Sequence, residues 1–261
     1  MKTSLHHRLL LPLLATALLA VSCQKALRFA GEPAANHQLT IRFKAMADTA
    51  RLIYGNTYLN NWSEPYTVSA FKFYISQLRL INTDSGISYN VNKDEYFLVN
   101  FGDSNSVVLR LNAVPFRYDR IGFLIGVDSI RNVSGAQTGA LDPGNGMFWT
   151  WNSGYIMAKL EGNSPVSNQV NNKFEYHIGG FSGPDHVLKQ VSLSFPLSQE
   201  IVLQPGKSTE LTIAADANAW FSNPFDLKLS VNPVCMTPGP LSRQIAENYV
   251  KMFSVTNIVN Q

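Results

Sequence analysis

Cysteine, charge and long apolar runs are all in short supply in this chain, and each shortage removes a class of protein. Cysteine occurs twice in 261 residues, as Cys23 and Cys235, so a scaffold stapled by several disulfides is excluded. Charged residues make up only 15% of the chain, and no block of like charge marks an acidic or basic tail. The net charge is +3. Setting aside Lys2 and Arg8 at the N-terminus leaves 19 basic against 18 acidic residues, too even a balance to grip a phosphate backbone, so no nucleic-acid partner is expected. Motifs of the GxxxxGK, HExxH, GxSxG and CxxC kinds are missing. With no phosphate loop, zincin helix or nucleophile elbow, the chain reads as a non-enzyme.

What is present begins with a leader. Lys2, His6, His7 and Arg8 precede an apolar stretch from Leu9 to Val21, too short for a mature membrane span and of the length of a secretory signal. It ends in Leu19-Ala20-Val21-Ser22-Cys23, which resembles the lipobox of bacterial lipoproteins. Residues 1–22 are therefore expected to be a lipoprotein signal peptide, with Cys23 lipidated and the protein held at the cell envelope, periplasmic or on the outer-membrane surface. Residues 23–37, with Pro33, Ala34 and Ala35, suit a tether. If Cys23 carries lipid, Cys235 has no partner. It then reads either as a buried inert thiol or as a soft metal ligand beside Met236.

From residue 38 to 261 one domain is expected, because no linker interrupts it. Leu39–Phe43 alternates apolar and polar residues, and Val68–Ile81 does so through Phe71, Phe73, Ile75, Leu78 and Leu80. Shorter runs at Tyr96–Val99, Val107–Leu111, Arg120–Val127, Tyr155–Leu160, Phe174–Ile178, Val187–Phe195, Glu200–Leu203, Glu210–Ile213 and Leu227–Val231 are separated by Gly, Pro, Asn or Asp. Many short strands at this spacing predict an all-β fold, a β-sandwich with long loops. Helix is expected only at Ala214–Trp220 and in a short C-terminal segment capped by Ser242, with Ile245, Tyr249 and Met252 or Phe253 on its apolar side.

The candidate chemistry concentrates around Gly146-Met147-Phe148-Trp149-Thr150-Trp151-Asn152-Ser153-Gly154-Tyr155. A long polar connection from Asp128 leads into it, and long ordered loops on β scaffolds are often functional. Trp149 and Trp151 share one face of an extended segment, as a wall of the core or as the lining of a site. Once the leader is gone, histidine is limited to His37, His177 and His186. His177 runs into a glycine turn, where its ring can point into a site or be satisfied within the core.

Phe71-Lys72-Phe73-Tyr74-Ile75-Ser76, Gly126-Val127-Asp128, Leu141-Asp142-Pro143, the GMFWTWNSGY block with Glu161-Gly162, Tyr176-His177-Ile178-Gly179-Gly180 and Ile245-Ala246-Glu247-Asn248-Tyr249 together resemble the MbnP-like family, over about Leu39 to Phe253. The resemblance implies a secreted or lipid-anchored β protein that binds copper and pairs with a MauG-like di-haem enzyme that oxidises a tryptophan to kynurenine. Carried over position by position, it makes His177 the imidazole ligand, Asp142 and Asp128 candidate oxygen ligands, and Trp149 and Trp151 the modified or site-lining residues. Relatives often carry a histidine shortly after the first-strand phenylalanine. Here Phe43 is followed by Lys44-Ala45-Met46, leaving His37 or Met46 as nearby substitutes. The rival expectation is a metal-free binding or interaction module that uses the aromatic loop to hold a partner or a sugar.

Overall fold

A computed structural model describes residues 38–91, 94–149, 154–196 and 199–261. The signal segment, Cys23, the tether with His37, and Trp151 lie outside them. Ten principal strands build two facing sheets, as the alternation predicts. They are β1 (Gln38–Ala47), β2 (Pro65–Asn82), β3 (Tyr96–Asn100), β4 (Val108–Asn112), β5 (Arg120–Ile125), β6 (Gly154–Asn163), β7 (Lys173–Gly179), β8 (Lys189–Ser194), β9 (Ser208–Asp216) and β10 (Phe253–Asn260). One sheet runs β10-β9-β1, and β4 and the short strand Ala50–Arg51 share the remaining edge of β1. The other runs β8-β5-β2-β6-β7, with β3 also on β2 and Val234–Cys235 closing the edge beyond β7.

The sheets face each other through alternate residues. On β1, Leu39, Ile41, Phe43, Ala45 and Ala47 are buried, one residue in two, as a strand with a single dry face requires. An aromatic seam joins the sheets. Phe43 meets Phe73 with centroids 5.8 Å apart, while Phe253 meets Phe73 at 5.2 Å and Phe123 at 5.1 Å, all edge-on. That geometry sets the positive ring edge against the negative ring face. On β2 the apolar positions change from odd to even after Ile75. The chain absorbs the extra residue in a bulge at Gln77, whose φ is 51°, and the register with β5 shifts between Ser76 and Arg79.

Four local expectations need correcting. Ala214–Asp216 continue β9, and only Ala217–Trp220 turns, as a 3₁₀ helix capped by Asp216 accepting from the Asn218 amide at 2.9 Å. The helix α2 spans Pro240–Tyr249, and its N-cap is Gly239, not Ser242. Proline suits that first turn because its missing N–H has no helical partner there, and Ser242 instead donates to the Gly179 carbonyl at 3.2 Å. Phe253 then starts β10, a strand that the sequence reading did not include.

Leu227–Val231 is a turn and not a strand. Its amides are drawn to a buried carboxylate, with Leu229 N donating to Glu64 Oε2 at 2.7 Å and Ser230 N to Oε1 at 3.1 Å. Ser230 Oγ (2.6 Å) and Asn60 Nδ2 (2.8 Å) complete the set. Burial pushes the Glu64 carboxyl up, but these four hydrogen bonds outweigh it and hold the group below its ordinary range. Replacing Glu64 with alanine orphans all four donors and is expected to lower the unfolding free energy by about 3 kcal/mol. Urea denaturation checks this, and a loss within error of zero would show that the turn holds itself.

Candidate functional site

The core-facing phase of three neighbouring strands dictates what stands on the opposite face. With Phe71 and Phe73, Leu160, and Tyr176 and Ile178 committed inward, Lys72, Lys159 and His177 must face outward. The register sets them side by side, Lys72 opposite Lys159 and Lys159 opposite His177. Glu161 lies two residues further along β6 on the same face. His177 Nε2 is 2.6 Å from Glu161 Oε1, and Lys159 Nζ is 3.4 Å from the same oxygen. The imidazole is 11% exposed and the carboxylate 27%. The His177 contact holds the Glu161 carboxyl down to about 2, against the opposing effect of burial and with help from Lys159.

The long connection from Asp128 to Trp149 crosses this face, and the face grips it by its carbonyls. Tyr74 and Tyr155, edge-on with centroids 5.7 Å apart, donate to the carbonyls of Ala140 at 3.0 Å and Leu141 at 2.7 Å. Lys72 Nζ donates to Asn145 O at 3.2 Å and Lys159 Nζ to Gly146 O at 2.7 Å. Burial, and then the neighbouring Lys159, lower the pKa of Lys72. Trp149 is buried over Gly179, where a β-carbon would come within 2.5 Å of the indole ring. Beside the indole, Tyr155, Phe181 and Pro238 help line a cavity of about 250 Å³.

The carboxylates expected near His177 are occupied elsewhere. Asp128 caps the short helix α1 (Ser129–Val133), accepting from Arg131 N at 3.1 Å and from the Tyr96 hydroxyl. Asp142 accepts from Gly144 N at 2.7 Å and caps the turn Pro143–Asn145. The acidic neighbour of His177 is Glu161. Glu161 has no site role in the sequence pattern of the aromatic block, and its shared parity with Lys159 is the signal that marks it. Among the described residues no three His, Cys, Asp or Glu side chains gather where one metal ion could hold them. Met46 is half-buried on β1, and Cys235 is a buried free thiol pushed up to about 11 by burial, as an inert core thiol should be.

In donor chemistry the His177–Glu161 pair fits the beginning of a copper site, since copper takes both imidazole nitrogen and carboxylate oxygen. The Lys159 ammonium on the same oxygen is a cation that such an ion would have to displace.

Two outcomes follow from this geometry. Because the folded Glu161 sits below its ordinary 4.5, the contact contributes its full stability above that pH and loses it as the pH falls toward 2. The contribution is on the order of 2 kcal/mol, and Glu161→Gln should flatten this acid limb in urea titrations at stepped pH. Gly179→Ala should displace the Trp149 indole, costing roughly 1–3 kcal/mol and red-shifting tryptophan emission. Unchanged emission and melting would mean that the indole is not seated on Gly179.

No curated protein matches the chain. Among solved structures, MbnP from Methylosinus trichosporium is similar with a TM-score of 0.45 and 13% identity, covering 84% of this chain and 97% of that one. The family model described as MbnP matches residues 36–237, which is most of the chain from the end of the expected tether to just past Cys235, and the protein therefore belongs to the MbnP family.

Proposed function

We propose that this protein is a non-enzymatic, copper-binding lipoprotein of the cell envelope, anchored through Cys23, with His177 as its first ligand. Glu161 takes the oxygen-donor role that the family resemblance assigned to Asp142 or Asp128. The observation that carries this reading is the 2.6 Å approach of the His177 imidazole to a carboxylate, on a face that is neither core nor open surface. Copper, when bound, would supply a redox-active Lewis acid. His177 would hold it, and Glu161 would offset its charge once Lys159 has moved away. Trp149 is covered by the same region of the fold, consistent with its being, or lying near, the tryptophan that a MauG-like di-haem partner oxidises. Trp151 is the other candidate.

A second reading, a metal-free interaction module, draws support from the capping roles of Asp128 and Asp142. Copper titration of the mature protein separates the two. The copper reading expects one equivalent bound, loss of binding in His177→Ala, and at least roughly tenfold weaker binding in Glu161→Gln. Undiminished binding in His177→Ala would move the ligands elsewhere, and no binding at all would favour the interaction module.

A further inference from the structure

A concavity of about 1000 Å³ plays no part in the site above. It arises because the second edge of β1 is covered in two pieces. β4 pairs with it from Gln38 to Arg42, with one further bond from Phe43 N to Val107 O at 2.9 Å. The strand Ala50–Arg51 pairs only at Met46 and Ala47, followed by Leu52 N to Ala45 O at 3.0 Å. Between the two pieces the stretch from Phe43 to Ala45 has no strand paired along this edge, while its other edge is paired with β9. That stretch floors a cleft walled by residues from the 49–54 and 101–107 segments.

The lining has a definite chemistry. Leu52, Ile53 and Phe101 give it an apolar wall, and Ile53 is 52% exposed. Among the described residues the charged lining is Arg42, Lys44 and Arg51, with no aspartate or glutamate. Arg42 is answered by Glu210 at 3.2 Å. Lys44 and Arg51 are exposed, and among the described residues neither makes an ion pair, Lys44 acting on Glu210 only at longer range. Tyr54 is no competing acid, because its hydroxyl accepts from Phe71 N at 2.8 Å and burial pushes its pKa up to about 12. A concave apolar surface with a few polar groups of one sign is how proteins hold a small molecule with a greasy body and an oppositely charged end.

We propose that this cleft binds a small amphipathic carboxylate, an alkyl or aryl chain ending in a single acid group. The chain lies along Leu52, Ile53 and Phe101, and the carboxylate is answered by Lys44 and Arg51. This assignment is independent of the copper reading and uses none of its residues.

The test is calorimetric titration of the mature protein with sodium decanoate below its micelle concentration. Acetate serves as the head without a tail, and decyltrimethylammonium as the same tail with the opposite charge. Saturable one-to-one binding of decanoate alone is expected. Lys44→Glu combined with Arg51→Glu should weaken it at least roughly tenfold, and Ile53→Asp similarly. All three residues are exposed, so melting temperatures should hold. The proposal is overturned if decanoate shows no saturable binding up to about 1 mM, a weak limit for a ligand of this kind. Equal binding of the cationic analogue, or an unchanged affinity in the charge-reversed variant, overturns it as well.

Discussion

The aromatic seam between the sheets is the contact on which the rest of the structure depends. Phe43, Phe73, Phe123 and Phe253 come from four strands and meet edge-on between the two layers. Because side chains alternate along a strand, committing Phe73 inward also commits Lys72 and Tyr74 outward. The same logic runs across β6 and β7, so the polar row of Lys72, Lys159 and His177 is the reverse side of the core. A one-residue slip in β2 would turn Lys72 inward and Phe73 outward, and in β6 it would bury Lys159 and expose Leu160. The site therefore shares the stability of the seam.

Electrostatics then shapes what covers the outer face. Two tyrosine hydroxyls and two ammonium groups all seek acceptors there, and the crossing connection supplies four backbone carbonyls in the stretch from Ala140 to Gly146. Asp142 contributes indirectly, by capping the turn Pro143–Asn145 within that stretch, and Asp128 caps α1 at the start of the same connection. Their carboxylates are used to build the cover, which leaves Glu161 as the acid beside His177. Glu64 plays a comparable part at another turn, where one buried carboxylate takes the amides of Leu229 and Ser230 and converts an apolar stretch into a turn.

Much of the fold was legible because strand patterning is local. The alternation of β1 and β2 and the turn residues between runs can each be read within a few positions, whereas the bulge at Gln77 that changes the parity of β2 emerged with the register to β5. The errors fell where a partner distant in sequence decides the local structure. Leu227–Val231 has the composition of a strand, yet its amides answer a carboxylate more than 160 positions away. Phe253–Thr256 alternates for only four residues before Asn257 breaks the pattern, at the point where the register shifts, but β9 offers the segment a free edge.

The candidate site divides along the same line. From the residues alone came the scarcity of histidine and the density of aromatic residues around Trp149, while the direction of the His177 ring stayed open between a site and the core. Through resemblance the sequence also pointed to the family. Tertiary structure decided which acid stands beside His177, that the two aspartates serve as caps, and that a cleft opens where two strands fail to cover one edge of β1. The physical reason is that a side chain's face follows from its own strand, whereas its neighbour follows from register between strands far apart in the chain. Register is a property of the packed whole.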